Sequence, residues 1–97
     1  MARLSVAKKH QLSHQQAKSA AQKVADDLKQ RFELDYEWRG DAIVFERPGL
    51  AGEMHISQNE VRLDCELGLV LSLLRPKLEA EIHKEFDKRF APKAKSG

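Results

Sequence analysis

The spacing of apolar residues changes from a helical to an extended pattern near residue 33. Apolar side chains before this point recur every three or four positions, as on one face of an α-helix, at Ala17, Ala20, Ala21, Val24, Ala25, Leu28 and Phe32. From Leu34 to Leu67 they alternate with polar residues, which is typical of half-buried β-strands. One helix followed by several half-polar strands predicts an antiparallel sheet with one covered face.

Capping and turn signals indicate where these elements begin and end. Ser13 is predicted to cap a helix over residues 13–32 by accepting a hydrogen bond from the N–H of Gln16. Gly40-Asp41 predicts a two-residue hairpin turn, and Pro48-Gly49 predicts a loop before the next strand. The apolar alternation at residues 4–7 predicts a short edge strand ahead of the helix.

An apolar run ahead of Pro76 is the most hydrophobic part of a chain that is 33% charged. Five of its six residues are large and apolar: Leu69, Val70, Leu71, Leu73 and Leu74. Burying each of them is worth ~1.5–3 kcal/mol, so the run needs a cover. Because proline disfavours helix at Arg75, we expect either a short helical turn before a new helix or one kinked helix. Five such residues exceed one helical face, so some should lie outside the core.

A second long helix is predicted after Pro76 and ends at Pro92. Its apolar residues stand four apart, at Leu78, Ile82, Phe86 and Phe90. The charged residues Glu85, Lys88 and Arg89 are assigned to its exposed face, where Glu85 can pair with either of the other two. The order β-α-β-β-β-β-α predicts an α+β fold, a two-layer sandwich with both helices on one face of an antiparallel sheet. Residues 1–91 are predicted to form one domain and residues 92–97 a flexible basic tail.

Composition excludes several classes of protein. The 17 Lys and Arg against 15 Asp and Glu give a net charge of +2, which provides no electrostatic case for nucleic-acid binding. A single cysteine cannot form an internal disulfide, and this fits a reducing compartment. The longest uncharged apolar run, residues 67–74, is far shorter than the ~20 residues that cross a bilayer. We therefore expect a soluble cytoplasmic protein without a transmembrane segment.

No residue pattern typical of catalysis or metal binding is visible. The histidines lack metal-site spacing and are interpreted as solvated, at His10, His14, His55 and His83. Cys65 lies on the apolar side of a strand, where a thiol acts as a small hydrophobe. Tyr36 and Trp38 are assigned to the core face, with partners needed for their O–H and N–H groups. No catalytic residue, metal or cofactor is expected, so the predicted function is non-enzymatic.

Several segments, taken in order, resemble those of a known family. They are His10-Gln11-Leu12-Ser13, Tyr36-Glu37-Trp38-Arg39-Gly40-Asp41, Phe45-Glu46-Arg47, the glycines Gly49 and Gly52, Val61-Arg62-Leu63, Leu67-Gly68-Leu69 and Leu78-Glu79-Ala80-Glu81-Ile82. Together they resemble the small bacterial polyhydroxyalkanoic acid system proteins from about Leu4 to Phe90. The resemblance implies a cytoplasmic protein linked to polyhydroxyalkanoate storage granules, and it carries over no catalytic residues.

Two functions are compatible with these observations. The first is a homodimeric accessory protein of polyhydroxyalkanoate metabolism that contacts the granule surface or granule proteins through Leu69, Val70, Leu71, Leu73 and Leu74, with Arg75 and Lys77 at the rim. Three interpretations of the apolar run stay open: it packs under its own sheet, it forms a dimer interface, or it docks on a lipidic surface. The alternative is a carrier of a small lipophile or acyl group, with a cavity between sheet and last helix lined by Leu63, Cys65, Ile82 and Phe86.

Overall fold

The computed structural model describes residues 2–90, which form five strands and three helices. Their order is β1 (Ala2–Lys9), α1 (His14–Phe32), β2 (Asp35–Arg39), β3 (Ala42–Arg47), β4 (Leu50–Ile56), β5 (Glu60–Leu67), α2 (Leu69–Ser72) and α3 (Arg75–Arg89). This confirms the predicted α+β class, and the apolar run adds the short helix α2 to the predicted order. The tail predicted at residues 92–97 lies outside the described residues.

The sheet is antiparallel throughout, with the strand order β1-β5-β4-β3-β2. Strands β2 to β5 form a meander, and β1 adds to the free side of β5 with Leu4 opposite Cys65. The first two strands of the chain are therefore at opposite edges of the sheet. Helix α1 connects these two edges.

Both long helices cover the same face of the sheet, as predicted. Helix α1 buries three alanines together with Val24 and Leu28. Because alanine is small, this helix can approach the strands closely. Helix α3 buries Leu78, Ile82 and Phe86, and it contacts both β1 and α1. The core thus lies between one layer of helices and one layer of strands.

Local signals account for the first helix and the first hairpin. The Ser13 side chain accepts from the N–H of Gln16 at 3.1 Å, and Oε1 of Gln16 accepts from the N–H of Ser13 at 3.2 Å. This is the predicted capping box. In the hairpin turn, Gly40 has φ +61°, a conformation that favours glycine at the first position of the turn.

Gly52 allows strands β4 and β5 to approach closely. A Cβ at this position would lie 2.4 Å from the Cβ of Cys65 and 2.8 Å from the carbonyl oxygen of Asp64. Neither of these atoms can rotate away, because both belong to the backbone or to the first side-chain carbon of β5. The close approach therefore requires glycine.

Tyr36 and Trp38 are half-buried on the helix-covered side of β2, and α1 supplies their partners. The Trp38 N–H donates to Oε1 of Gln22 at 2.6 Å, and the Tyr36 hydroxyl donates to Asp26. The Asp26 carboxylate and burial raise the pKa of Tyr36. The predicted need for partners at the core rim is confirmed.

His10 is buried, which corrects its assignment to solvent. Its side chain is 3% exposed, and its ring centroid lies 5.5 Å from that of Phe90. Nδ1 accepts from the N–H of Leu12 at 3.1 Å, and Nε2 lies 3.2 Å from the carbonyl oxygen of Ser57. Because Nδ1 accepts, the neutral ring carries its hydrogen on Nε2 and donates it to Ser57. His10 therefore joins the β1–α1 connection to the end of β4.

Glu85 is buried between α1 and α3, which corrects its predicted place on an exposed face. Arg89 donates to Asp27 of α1 at 2.8 Å and to Glu85 at 3.4 Å. Burial, and then the neighbouring Asp27, raise the pKa of Glu85, whereas the hydrogen bond from Arg89 lowers the pKa of Asp27. This cluster joins the two long helices across the core boundary.

Candidate interaction surface and pocket

The predicted interaction residues form an exposed patch on and after α2. The exposed fractions are 77% for Leu69, 77% for Val70, 81% for Leu73 and 43% for Leu74. We call these four residues the α2 patch. Leu71 instead packs partly against the core. The expectation that the run exceeds what this domain buries is therefore confirmed.

Backbone hydrogen bonds hold α2 in place. The N–H of Gly68, the residue before the helix, donates to the carbonyl oxygen of Gly49 in the β3–β4 turn at 2.8 Å. Within α2, the Ser72 N–H donates to the carbonyl oxygen of Gly68 at 2.9 Å, and the Ser72 hydroxyl donates to the carbonyl oxygen of Leu69 at 2.8 Å. None of the residues of α2 is buried. The patch is thus presented by main-chain contacts, and its side chains are free to meet a partner.

The two predicted rim residues follow the patch and are both exposed. Arg75 donates from Nε to the carbonyl oxygen of Arg3 on the edge strand β1 at 3.1 Å. Lys77 forms no ion pair within residues 2–90. Arg75 also pairs with Glu79 at 3.9 Å, so within this part of the chain Lys77 carries the unpaired positive charge on the α3 side of the α2 patch.

A pocket of about 220 Å³ lies behind α2. Its walls come from the end of α1, the β3–β4 turn, α2 and the start of α3, and they consist of Arg31, Phe32, Glu33, Arg47, Leu50, Leu71, Leu74 and Leu78. We call this the α2 pocket. Because four separate segments build it, no local pattern in the sequence could predict it. The walls combine apolar side chains with the charged groups of Arg31, Glu33 and Arg47, so they could hold a ligand that has both an apolar and a charged part.

Arg47 is the wall residue of the α2 pocket with an unused donor. Its Nη1 donates to the carbonyl oxygen of Phe32 at 2.6 Å, close to the end of α1. Its Nε is buried and has no hydrogen-bond partner among the described residues. Arg31 differs, because it pairs with Glu81 of α3 at 3.3 Å. Arg47 also forms no ion pair among the described residues, so its positive charge has no counter-charge at the pocket.

The cavity predicted between sheet and last helix is closed, which corrects that prediction. Leu63, Cys65 and Ile82 line a cavity of about 10 Å³, and Phe86 is 1% exposed within the core. This volume is about the minimum for one water molecule, so it cannot hold an acyl chain. Burial raises the pKa of Cys65 to about 11, so its thiol stays protonated at neutral pH.

The face of the sheet opposite the helices is polar, and pairs within single strands neutralise much of its charge. Arg39 pairs with Glu37 at 2.8 Å and Arg62 with Asp64 at 3.3 Å. The Ser5 hydroxyl also donates to Asp64 and lowers the pKa of that carboxyl. Each of these ion pairs joins opposite charges along one strand. The α2 patch and α2 pocket are the stronger candidates for binding.

Neither a metal-binding cluster nor a membrane-spanning helix is found within residues 2–90. No group of three or more His, Cys, Asp or Glu side chains is placed to hold a metal ion in this part of the chain. Over the same residues, no helix combines the length and apolar character needed to cross a membrane.

Comparisons with known proteins give one family and one fold relative. A family model described as "Putative polyhydroxyalkanoic acid system protein" matches residues 4–90. The fold is similar to the NMR structure of PA4090 from Pseudomonas aeruginosa, with a TM-score of 0.59 and 9% identity over 100% of this chain and 88% of that one. No curated protein matches the sequence.

Proposed function

Because the chain belongs to the family of polyhydroxyalkanoic acid system proteins, we propose that it is a non-enzymatic accessory protein of polyhydroxyalkanoate metabolism. In this proposal it works in the cytoplasm and associates with the storage granule through the α2 patch. The observation that carries the proposal is the exposure of Leu69, Val70 and Leu73, each more than three-quarters accessible to solvent.

The chemistry of a polyester surface matches the α2 patch. Such a surface is apolar along its chains and carries carboxylate groups at chain ends. Transfer of a large apolar side chain out of water contributes ~1.5–3 kcal/mol when burial is complete. The rim residues Arg75 and Lys77 place positive charge where an anionic chain end would lie. Apolar contact with a charged border therefore supports surface association.

A homodimer is the second mode of association that the patch allows. A stable protein interface uses about 20–30 residues a side, and the patch offers four large apolar residues. The patch alone is therefore better suited to docking on an extended apolar surface than to holding two folded copies together. The predicted homodimer stays a prediction, and a solution mass measured by light scattering tests it.

The proposal is tested by co-sedimentation with protein-free polyhydroxybutyrate particles at about 0.15 M salt. We expect wild type to sediment with the particles and the L69D/L73D double variant to stay in the supernatant. Both substituted side chains are largely in water, so the variant should fold normally, which far-UV circular dichroism can verify.

A matched control adds the same two negative charges elsewhere. The Q15D/Q58D double variant changes two exposed positions, on α1 and in the β4–β5 turn. It should sediment like wild type. Sedimentation of L69D/L73D at the wild-type level would refute the role of the patch. Failure of wild type to sediment would refute granule association itself.

A further inference from the structure

We propose that the α2 pocket binds the carboxylate end of a short linear aliphatic acid, with the tail against its leucines and the carboxylate at Arg47. This ligand site shares only Leu74 with the exposed α2 patch, and it does not depend on granule association.

The apolar half of the site comes from α2 and the residues around it. Leu71 and Leu74 form the side of the pocket that faces α2, and Leu50 and Leu78 form its buried side. The volume of about 220 Å³ is below the ~300–1,000 Å³ typical of sites for drug-sized ligands, so the pocket suits a small ligand. We therefore assign it an acid of about four to six carbons.

The polar half of the site is the guanidinium of Arg47. Its Nη1 donates to the Phe32 carbonyl oxygen, and its Nε is enclosed by the protein, so the terminal nitrogens are the donors left for a ligand. Arg47 takes part in no ion pair within the described residues. A carboxylate is the planar acceptor that a guanidinium binds best. It would provide the missing counter-charge.

The other charges around the pocket favour Arg47 over Arg31 as the anchor. Arg31 already pairs with Glu81, so it has less positive charge to offer. Glu33 lies exposed at the pocket rim, where water screens its repulsion of an anion. A neutral lipophile would fill the apolar half but would leave the positive charge of Arg47 without a counter-charge. The pocket therefore selects for an anionic head group.

Titration of 15N-labelled protein at neutral pH with hexanoate, hexanol and acetate tests this proposal. We expect saturable shifts with hexanoate at the amides of Leu50, Leu71 and Leu78, with a Kd of about 1 mM. Hexanol lacks the carboxylate and acetate lacks the tail, so each should bind about ten-fold more weakly. No saturable shift with hexanoate, or equal binding of hexanol, would overturn the proposal.

Three variants locate the site. R47Q removes the charge, and L74W adds bulk to the apolar wall of the pocket; each should weaken hexanoate binding about ten-fold or more. L73W adds the same bulk on the outer side, at a residue 81% exposed, and should bind like wild type. Wild-type affinity in L74W would overturn the proposal. L69D/L73D should bind hexanoate normally, which separates failure of the pocket from failure of the α2 patch.

Discussion

Substitution of Gly52 by alanine tests the close approach of β4 and β5. The new methyl group would lie 2.4 Å from the Cβ of Cys65, 2.8 Å from the oxygen of Asp64 and 3.0 Å from the Cα of Cys65. All three distances are far below ordinary contact, and none of these atoms is the end of a flexible side chain. The two strands must therefore move apart to accommodate alanine.

The expected cost of G52A follows from two opposing effects. Extra volume in a packed core costs typically 1–3 kcal/mol, and the immobile neighbours favour the upper end of that range. Alanine loses less backbone freedom than glycine on folding, which returns about 0.5–1 kcal/mol. We expect a net loss of about 2 kcal/mol in the free energy of unfolding, or a fall in Tm of about 8–16 °C for a domain of this size.

Urea unfolding followed by the fluorescence of Trp38, the only tryptophan, measures this loss. The matched control is G68A, because a Cβ there would meet its nearest neighbour at an ordinary 3.5 Å. That variant should unfold within about 0.5 kcal/mol of wild type. Replacing Cys65 with glycine in the G52A background removes the shortest of the three contacts, the one with the Cβ of Cys65, and should restore part of the stability. A G52A protein as stable as wild type would refute the close approach.

Two further predictions concern buried polar groups. The folded state raises the pKa of Glu85, so the stability this residue contributes is present below its unfolded pKa and is lost as pH rises through the folded pKa. The difference in the free energy of unfolding between E85Q and wild type should therefore shift in favour of E85Q from about pH 4 to about pH 7. Urea unfolding at both pH values measures this difference, and the same difference at both would contradict the prediction. H10A leaves the Leu12 N–H and the Ser57 carbonyl oxygen unpaired beside Phe90. The free energy of unfolding should fall by about 2–4 kcal/mol in the same assay, and a fall below about 0.5 kcal/mol would contradict the described bonds.

The elements that could be predicted are those specified by local pattern. Ser13 and Gln16 lie within one helical turn, so the cap of α1 is visible in the sequence. The alternation from Leu34 to Leu67 likewise predicts strands, because side chains two apart share a face of the sheet. Strand order is different, since Leu4 and Cys65 are 61 positions apart and alternation does not name a partner.

The errors occurred where contacts join distant segments. The spacing of Glu85 and Arg89 predicts an exposed pair within α3, but it does not show that Asp27 of α1 packs against both. His10 lies in a connection without periodicity, so nothing local distinguishes it from a solvated histidine. The exposed α2 patch was predictable from the excess of leucine. The pocket behind it was not, because its walls come together only in the folded chain.

The pairing of β1 with β5 also affects how this domain is made on the ribosome. Strand β1 is synthesised before the rest of the sheet, yet its partner β5 ends at Leu67, so the β1–β5 pairing cannot be completed until residue 67 has left the ribosome. Helix α1 can form earlier because its hydrogen bonds are local, whereas the backbone of β1 stays unpaired until β5 is available. Nascent chains that stall before Leu67 would expose the unpaired β1 segment to chaperones and proteases.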